Sequence, residues 1–254
     1  MRVIVSENYQ ELSKKAAEIV AEQLKKKPTS VLGLATGSTP IGMYKELISM
    51  QQAGNVDFSQ ITTFNLDEYV GLTADHDQSY SYFMWDNLFS HVNIKKEQTN
   101  IPSGIFTDAK AECSRYEKAM EEAGGVDIQI LGIGHNGHIG FNEPAQAFTL
   151  STHVVELAPE TIEANARFFS DISEVPKQAV TMGIGGIMKA RHVLLLVNDK
   201  SKAEAVRHLF TGIVDPQVPV SILQLHPNLT VLVDRATAEL LPLQDESREA
   251  VLQG

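Results

Sequence analysis

The chain has 254 residues, 43% hydrophobic and 21% charged, enough to bury a substantial core. Its 21 Lys and Arg against 32 Asp and Glu leave a formal charge of −11, which argues against a nucleic-acid scaffold, because holding a polyanion needs a basic face. An anionic small molecule would have to be held by local cations and oriented N–H groups against an unfavourable overall field.

From the N-terminus, Val3 to Val5 predicts a strand, and Leu12, Ala16, Ile19, Val20 and Leu24 recur at helical spacing up to Pro28. Val31 to Ala35 predicts a second strand, with Pro40 in the first turn of a helix reaching about Gln52. A strand over Ile61 to Leu66 is followed by helices over Ser79 to Phe89 and Asp108 to Glu122. Further strands are expected over Val126 to Ile133, Ala179 to Ile184 and His192 to Val197. A helix over Ser201 to Phe210, a strand over Leu229 to Val233 and a helix over Ala236 to Leu241 complete the pattern. Continuous apolar strands alternating with helices predict an open, mostly parallel α/β sheet with helices on both faces. Ligands in such folds sit beyond the carboxyl ends of the strands. No repeat, linker or low-complexity tract divides the chain, so residues 1–254 are expected to form a single catalytic domain, with 243–254 a frayed tail.

A lone cysteine, Cys113, excludes an intrachain disulfide framework and a Cys-based zinc cluster. No apolar run approaches the roughly 20 residues needed to cross a bilayer. Met1 to Val5 leads straight into Ser6-Glu7-Asn8 without a signal-peptide core. A cytoplasmic protein without membrane or nucleic-acid partners is expected.

Chemistry is suggested at four places. Gly33-Leu34-Ala35-Thr36-Gly37-Ser38-Thr39-Pro40 runs from a strand through a hydroxyl-rich turn into a helix, a cup suited to a phosphate. It lacks the Lys of a nucleotide-triphosphate loop, and its plainer reading is a turn capped by Ser38 or Thr39. Asp67 and Glu68 follow an apolar strand, where a carboxylate could act as general base. If the strand geometry persists they point to opposite sides, so only one can face a substrate; alternatively they form a solvated pair.

The densest segment is Gly132-Ile133-Gly134-His135-Asn136-Gly137-His138-Ile139-Gly140-Phe141-Asn142-Glu143-Pro144. It contains a G-x-G-x-x-G, but Gly140, Asn142 and Pro144 predict a loop where a dinucleotide site needs a helix. His135 and His138 do not match a zinc motif, so no metal and no cofactor are expected. What remains is a glycine-rich loop presenting His138 with Asn136 and Glu143, a pair suited to proton transfer. Finally, Arg167 and Lys202 are isolated cations that would serve either a phosphate clamp or surface salt bridges.

Together the Thr-Gly-x-Thr-Pro turn, Asn65 to Leu72, Gly137 to Pro144 and Ala166 to Phe169 resemble the glucosamine-6-phosphate deaminase family, in the family's order from Met1 to about Leu243. The resemblance implies a modified Rossmann-like open sheet. It also implies release of ammonia from glucosamine 6-phosphate, giving fructose 6-phosphate. Asp67 would be the base for the C2 proton and His138 the ring-opening acid–base, supported by Glu143 and Asn136. Thr36, Gly37, Ser38, Thr39, Arg167 and Lys202 would bind the phosphate. Some family members carry Asp where Asn136 stands; Asn136→Asp is expected to keep activity and shift the acid limb of the rate profile upward in pH. His153 and Val155 stand where allosteric hexameric members carry basic residues, which favours a monomer or small homo-oligomer. The competing readings are a 6-phosphogluconolactonase-like hydrolase, which needs no base at Asp67, and a sugar-phosphate-binding module without activity.

Overall fold

The computed structural model describes residues 1–158, 162, 163, 166, 169 and 171–243, with the backbone alone at Ser173. Seven parallel strands form the main sheet: β1 (Arg2–Ser6), β2 (Val31–Leu34), β3 (Thr62–Asn65), β5 (Thr99–Asn100), β6 (Ile128–Leu131), β9 (Val193–Val197) and β10 (Leu229–Asp234). Their spatial order is β1-β10-β9-β6-β2-β3-β5. After β2 the chain builds outward through β3 to β5, then returns to β6 on the other side of β2 and proceeds through β9 and β10. The strand order therefore reverses between β2 and β6. In an open parallel sheet the two connections diverge at such a point and leave a crevice above the carboxyl ends.

Why this sheet lies inside is legible in β9, Val-Leu-Leu-Leu-Val, which is wholly buried. Val193, Leu195 and Val197 enter one apolar cluster, while Leu194 and Leu196 enter the other. Each such side chain contributes about 1.5–3 kcal/mol by leaving water. Helices α1 (Tyr9–Lys26), α2 (Ser38–Gln52) and α3 (Tyr80–Asn87) bury residues in one cluster. Helix α4 (Ala109–Glu122) and the short helices α5 (Ile184–Met188), α6 (Ala203–Arg207) and α7 (Arg235–Ala238) pack on the opposite face. Side chains that accept N–H groups of the first turn start α1 at Asn8 and α4 at Asp108. The two-faced α/β architecture is the expected one.

Three strands depart from the expected parallel array. β4 (Asp67–Tyr69), β7 (His153–Glu156) and β8 (Gln178–Thr181) form a separate antiparallel sheet in the order β4-β8-β7. The expected strand Ala179 to Ile184 thus belongs to this sheet, and it stops at Thr181. Gly183 then starts α5, where a Cβ would run into the carbonyls of Leu150 and Ser151. The expected helix Ser201 to Phe210 is split, with 3-10 turns over Lys200–Lys202 and His208–Phe210 around α6. β5, β7 and a 3-10 helix over Pro219–Leu225 went unpredicted, because two strands this short and a proline-started turn carry no usable periodicity. The expected tail lies outside the described residues apart from Leu243. No described helix is long and apolar enough to cross a membrane.

Candidate active site

A cleft of about 800 Å³ opens at the carboxyl ends of the central strands, at the reversal of strand order. Its walls are the turn after β2, the start of β4, the glycine-rich loop after β6, the turn after β9 and the first turn of α3.

The turn after β2 contributes Thr36, Gly37, Ser38 and Thr39. Gly37 is the residue before α2, with φ of +91°, a conformation that favours glycine. No side chain caps this helix, so neither Ser38 nor Thr39 plays the plain capping part; both lie inside the helix. Its first-turn N–H groups stay available to an anion in the cleft. Thr39 donates to Asn198 Oδ1 at 3.0 Å, tying the cup to the turn after β9. That turn carries Lys202, half-buried and lining the same cleft; its amine makes no ion pair among the described residues. Burial lowers the pKa of Lys202, partly offset by the nearby charge of Asp199.

Asp67 and Glu68 are not a solvated pair: only 6% and 2% of their surfaces are exposed. As β-strand alternation requires, they do different things. Glu68 turns away and accepts the N–H groups of Tyr69, Tyr80 and Ser81 at 2.8–2.9 Å, fixing the start of α3 as a cleft wall. Asp67 lines the cleft. Burial, assisted by the charge of Glu68, pushes the Asp67 carboxyl up to about 8.

The loop after β6 contains no helix, as its glycines and proline predict. Gly137 and Gly140 have φ of +85° and +58°. A Cβ at Gly134 would come within 2.3–2.5 Å of three imidazole atoms of His138, so the glycine makes room for the ring. His138 Nδ1 lies 3.1 Å from Glu143 Oε1, with side chains 28% and 14% exposed. Asn136 sits behind this pair: its Nδ2 donates to Glu143 Oε2 at 2.7 Å, and its Oδ1 accepts the His138 N–H at 3.1 Å. His138 lines the cleft; Asn136 and Glu143 support it from behind. Asn136→Asp would set a carboxylate against that of Glu143, yet keep an oxygen that accepts the His138 N–H. The variant is expected to keep kcat within about tenfold of wild type, because the hydrogen bond that orients the His138 backbone survives. A loss of more than about tenfold would show that the amide bond from Asn136 Nδ2 to Glu143 is itself needed for turnover.

Asp67, His138, Thr36 to Thr39 and Lys202 thus meet in one cleft, while Arg167 lies outside the described residues. Sequence reasoning missed the aromatic wall of Tyr69, Tyr80 and Phe141, whose ring centroids lie 4.8–6.0 Å apart. His135, weighed there only as a metal ligand, lines the cleft beside Lys202 with its Nδ1 3.2 Å from Ser201 Oγ. Phe141 and His135 stand inside the glycine-rich segment, so their place in that segment was an available signal. Tyr80 had none, because the Glu68 clamp on its N–H and packing on Tyr69 and Phe141 bring it there. Among the described residues no cluster of three His, Cys, Asp or Glu side chains could hold a metal ion.

A parallel α/β sheet with an uncapped helix start, a buried carboxylate and an imidazole–carboxylate pair around one cleft has the parts of an enzyme site. The chain belongs to the glucosamine-6-phosphate isomerase/6-phosphogluconolactonase family, whose model matches residues 5–232. It is 56% identical over 245 residues to a glucosamine-6-phosphate deaminase of Thermoanaerobacter pseudethanolicus, covering 96% of this chain and 97% of that protein. A glucosamine-6-phosphate deaminase of Clostridium perfringens is 51% identical over 241 residues, with 95% and 100% covered. A solved monomeric glucosamine-6-phosphate deaminase superposes with a TM-score of 0.91 at 50% identity, covering 94% of this chain and 100% of that one. The 6-phosphogluconolactonase of Thermotoga maritima, with a TM-score of 0.70 at 19% identity and 91% and 97% covered, shares the fold.

Proposed function

We propose that this protein converts glucosamine 6-phosphate and water to fructose 6-phosphate and ammonia. The observation that carries the reading is the convergence of Asp67, the His138–Glu143 pair and the uncapped start of α2 on one cleft. It is supported by the names of relatives that match nearly the whole chain at 51–56% identity.

The reaction must first open the pyranose. His138 moves a proton from O1 to O5, and Glu143 holds the imidazole in orientation, as the third member of a catalytic triad does. The C2 hydrogen then lies beside an aldehyde and becomes acidic. Asp67 removes it, the electron pair forms a C1–C2 double bond, and O1 gains a proton to give an enolamine. Return of the proton to C1 yields an imine at C2. Water adds to that imine and the C–N bond breaks, leaving the ketose and ammonia. A base buried to a pKa of about 8 suits this task, since a stronger base removes a carbon-bound proton faster.

The anionic end of the substrate is assigned to the cup of Thr36, Gly37, Ser38 and Thr39 with Lys202 as a cation, so the remote phosphate positions the reacting carbons; the family resemblance adds Arg167, outside the described residues. Lys202→Met is expected to raise KM about 10–100-fold with a smaller change in kcat, the worth of one charged hydrogen bond. An unchanged KM would remove Lys202 from the clamp. Residues 1–254 act in this reading as one catalytic unit. Among the described residues one chain supplies each group the reading uses, and the similar solved enzyme is described as monomeric.

The direct test is ammonia release from glucosamine 6-phosphate by purified protein in the presence of a chelator. Release above an Asp67→Asn control supports the reading. No release, with hydrolysis of 6-phosphogluconolactone that survives Asp67→Asn, would replace it by the lactonase.

A further inference from the structure

Asp67 and His138 sit on different elements, β4 and the loop after β6, so their separation depends on what ties those elements together. Thr181, the last residue of β8, touches both. Its backbone pairs with Asp67 in the antiparallel ladder. Its wholly buried hydroxyl accepts the Phe141 N–H at 3.1 Å and donates, at 3.5 Å, to the Met182 carbonyl. Gly140 fills the space between: a Cβ there would lie 3.1 Å from the Thr181 hydroxyl and 3.4 Å from Asp67 Oδ2. One residue beyond Phe141, Asn142 Nδ2 donates to the carbonyls of Ile139 and Met182, each at 2.9 Å. Residues 139–142 are thereby pinned to the end of β8, immediately after His138.

We propose that the Thr181 hydroxyl is a positioning group that sets the distance between the Asp67 carboxylate and the His138 imidazole. The inference rests on the deaminase reading, in which both groups act on one hexose chain. Valine has the shape of threonine but no acceptor, so it would leave the Phe141 N–H buried without a partner. Residues 139–142, then held by the Asn142 bonds, are expected to shift to satisfy that donor and to carry His138 with them. A displacement of about 1 Å at a reacting group costs up to about 100-fold in rate.

The test compares Thr181→Val with Thr181→Ser on glucosamine 6-phosphate, unlabelled and deuterated at C2. For Thr181→Val, kcat is expected to fall about 10–100-fold with KM changed by less than about threefold. Thr181→Ser, which keeps the hydroxyl, is expected to restore kcat to within about threefold of wild type. The isotope effect on kcat is expected to change in the valine variant, because displacing the imidazole slows ring opening relative to C2 proton removal. Mere loss of folded protein lowers the rate without moving that isotope effect, and that result would overturn the proposal. An unchanged kcat in the valine variant would overturn it too. Thr181→Cys, a poorer acceptor of similar size, carries the same comparison if the valine variant does not fold. Wild-type turnover separates the two claims: without it the deaminase reading fails, and with it an unaffected valine variant removes only the role of Thr181.

Discussion

Asp67→Asn is expected to lower kcat for ammonia release by at least about 10³-fold while leaving KM nearly unchanged, because the phosphate cup is untouched. The same substitution is expected to stabilise the protein at alkaline pH. In the fold the Asp67 carboxyl holds its proton to about pH 8, against an ordinary value of 3.8. Between those values the native state binds more protons than the unfolded chain, so stability falls as pH rises through the window. The burden is absent below about pH 4 and complete above about pH 8. Asparagine never ionises and avoids it. Its melting temperature should match wild type at pH 4 and exceed it by roughly 5–10 °C at pH 8.5. Activity has the opposite sign: wild-type kcat/KM should rise with pH across about 8 as Asp67 gives up its proton to become the base. A kcat/KM already flat by pH 6, or equal melting curves at pH 8.5, would refute the buried-base assignment.

His138→Gln is the second large effect. Glutamine can hydrogen-bond but cannot carry a proton between O1 and O5, so kcat is expected to fall about 10²–10⁴-fold. The loss is finite because a pyranose also opens without help. KM should move little, since the cup and Lys202 are intact. With ring opening limiting, the C2-deuterium isotope effect on kcat should collapse toward one. A full isotope effect in a slow His138→Gln enzyme would instead assign the imidazole to a step at C2. The contrast with Asp67→Asn is diagnostic, because a residue that acts on C2 and one that acts on the ring oxygens shift this ratio in opposite directions.

Local pattern was enough for much of the fold and site. Apolar runs such as Val193 to Val197, buried on both faces, require a covered parallel sheet, and their strand ends locate the cleft. Gly134 and Gly137 within a proline-ended segment exclude a helix and mark an approachable loop, whereas the fit of Gly134 against His138 belongs to the structure. The opposed directions of Asp67 and Glu68 follow from strand alternation alone.

Residue pattern reports on neighbours along the chain, whereas pairing and burial are properties of segments far apart in it. That is why the strand over Ala179 to Thr181 looked like part of the main sheet, why its partner β7 was not expected at all, and why Tyr80 and Thr181 were invisible as site residues. The elements, the sheet class and the residue types able to move a proton were determined by the sequence itself. The exclusion of water that lifts Asp67 to about 8, and the register that sets it across from Thr181, were decided only when distant strands closed over it, because desolvation requires a surrounding and a strand carries none alone.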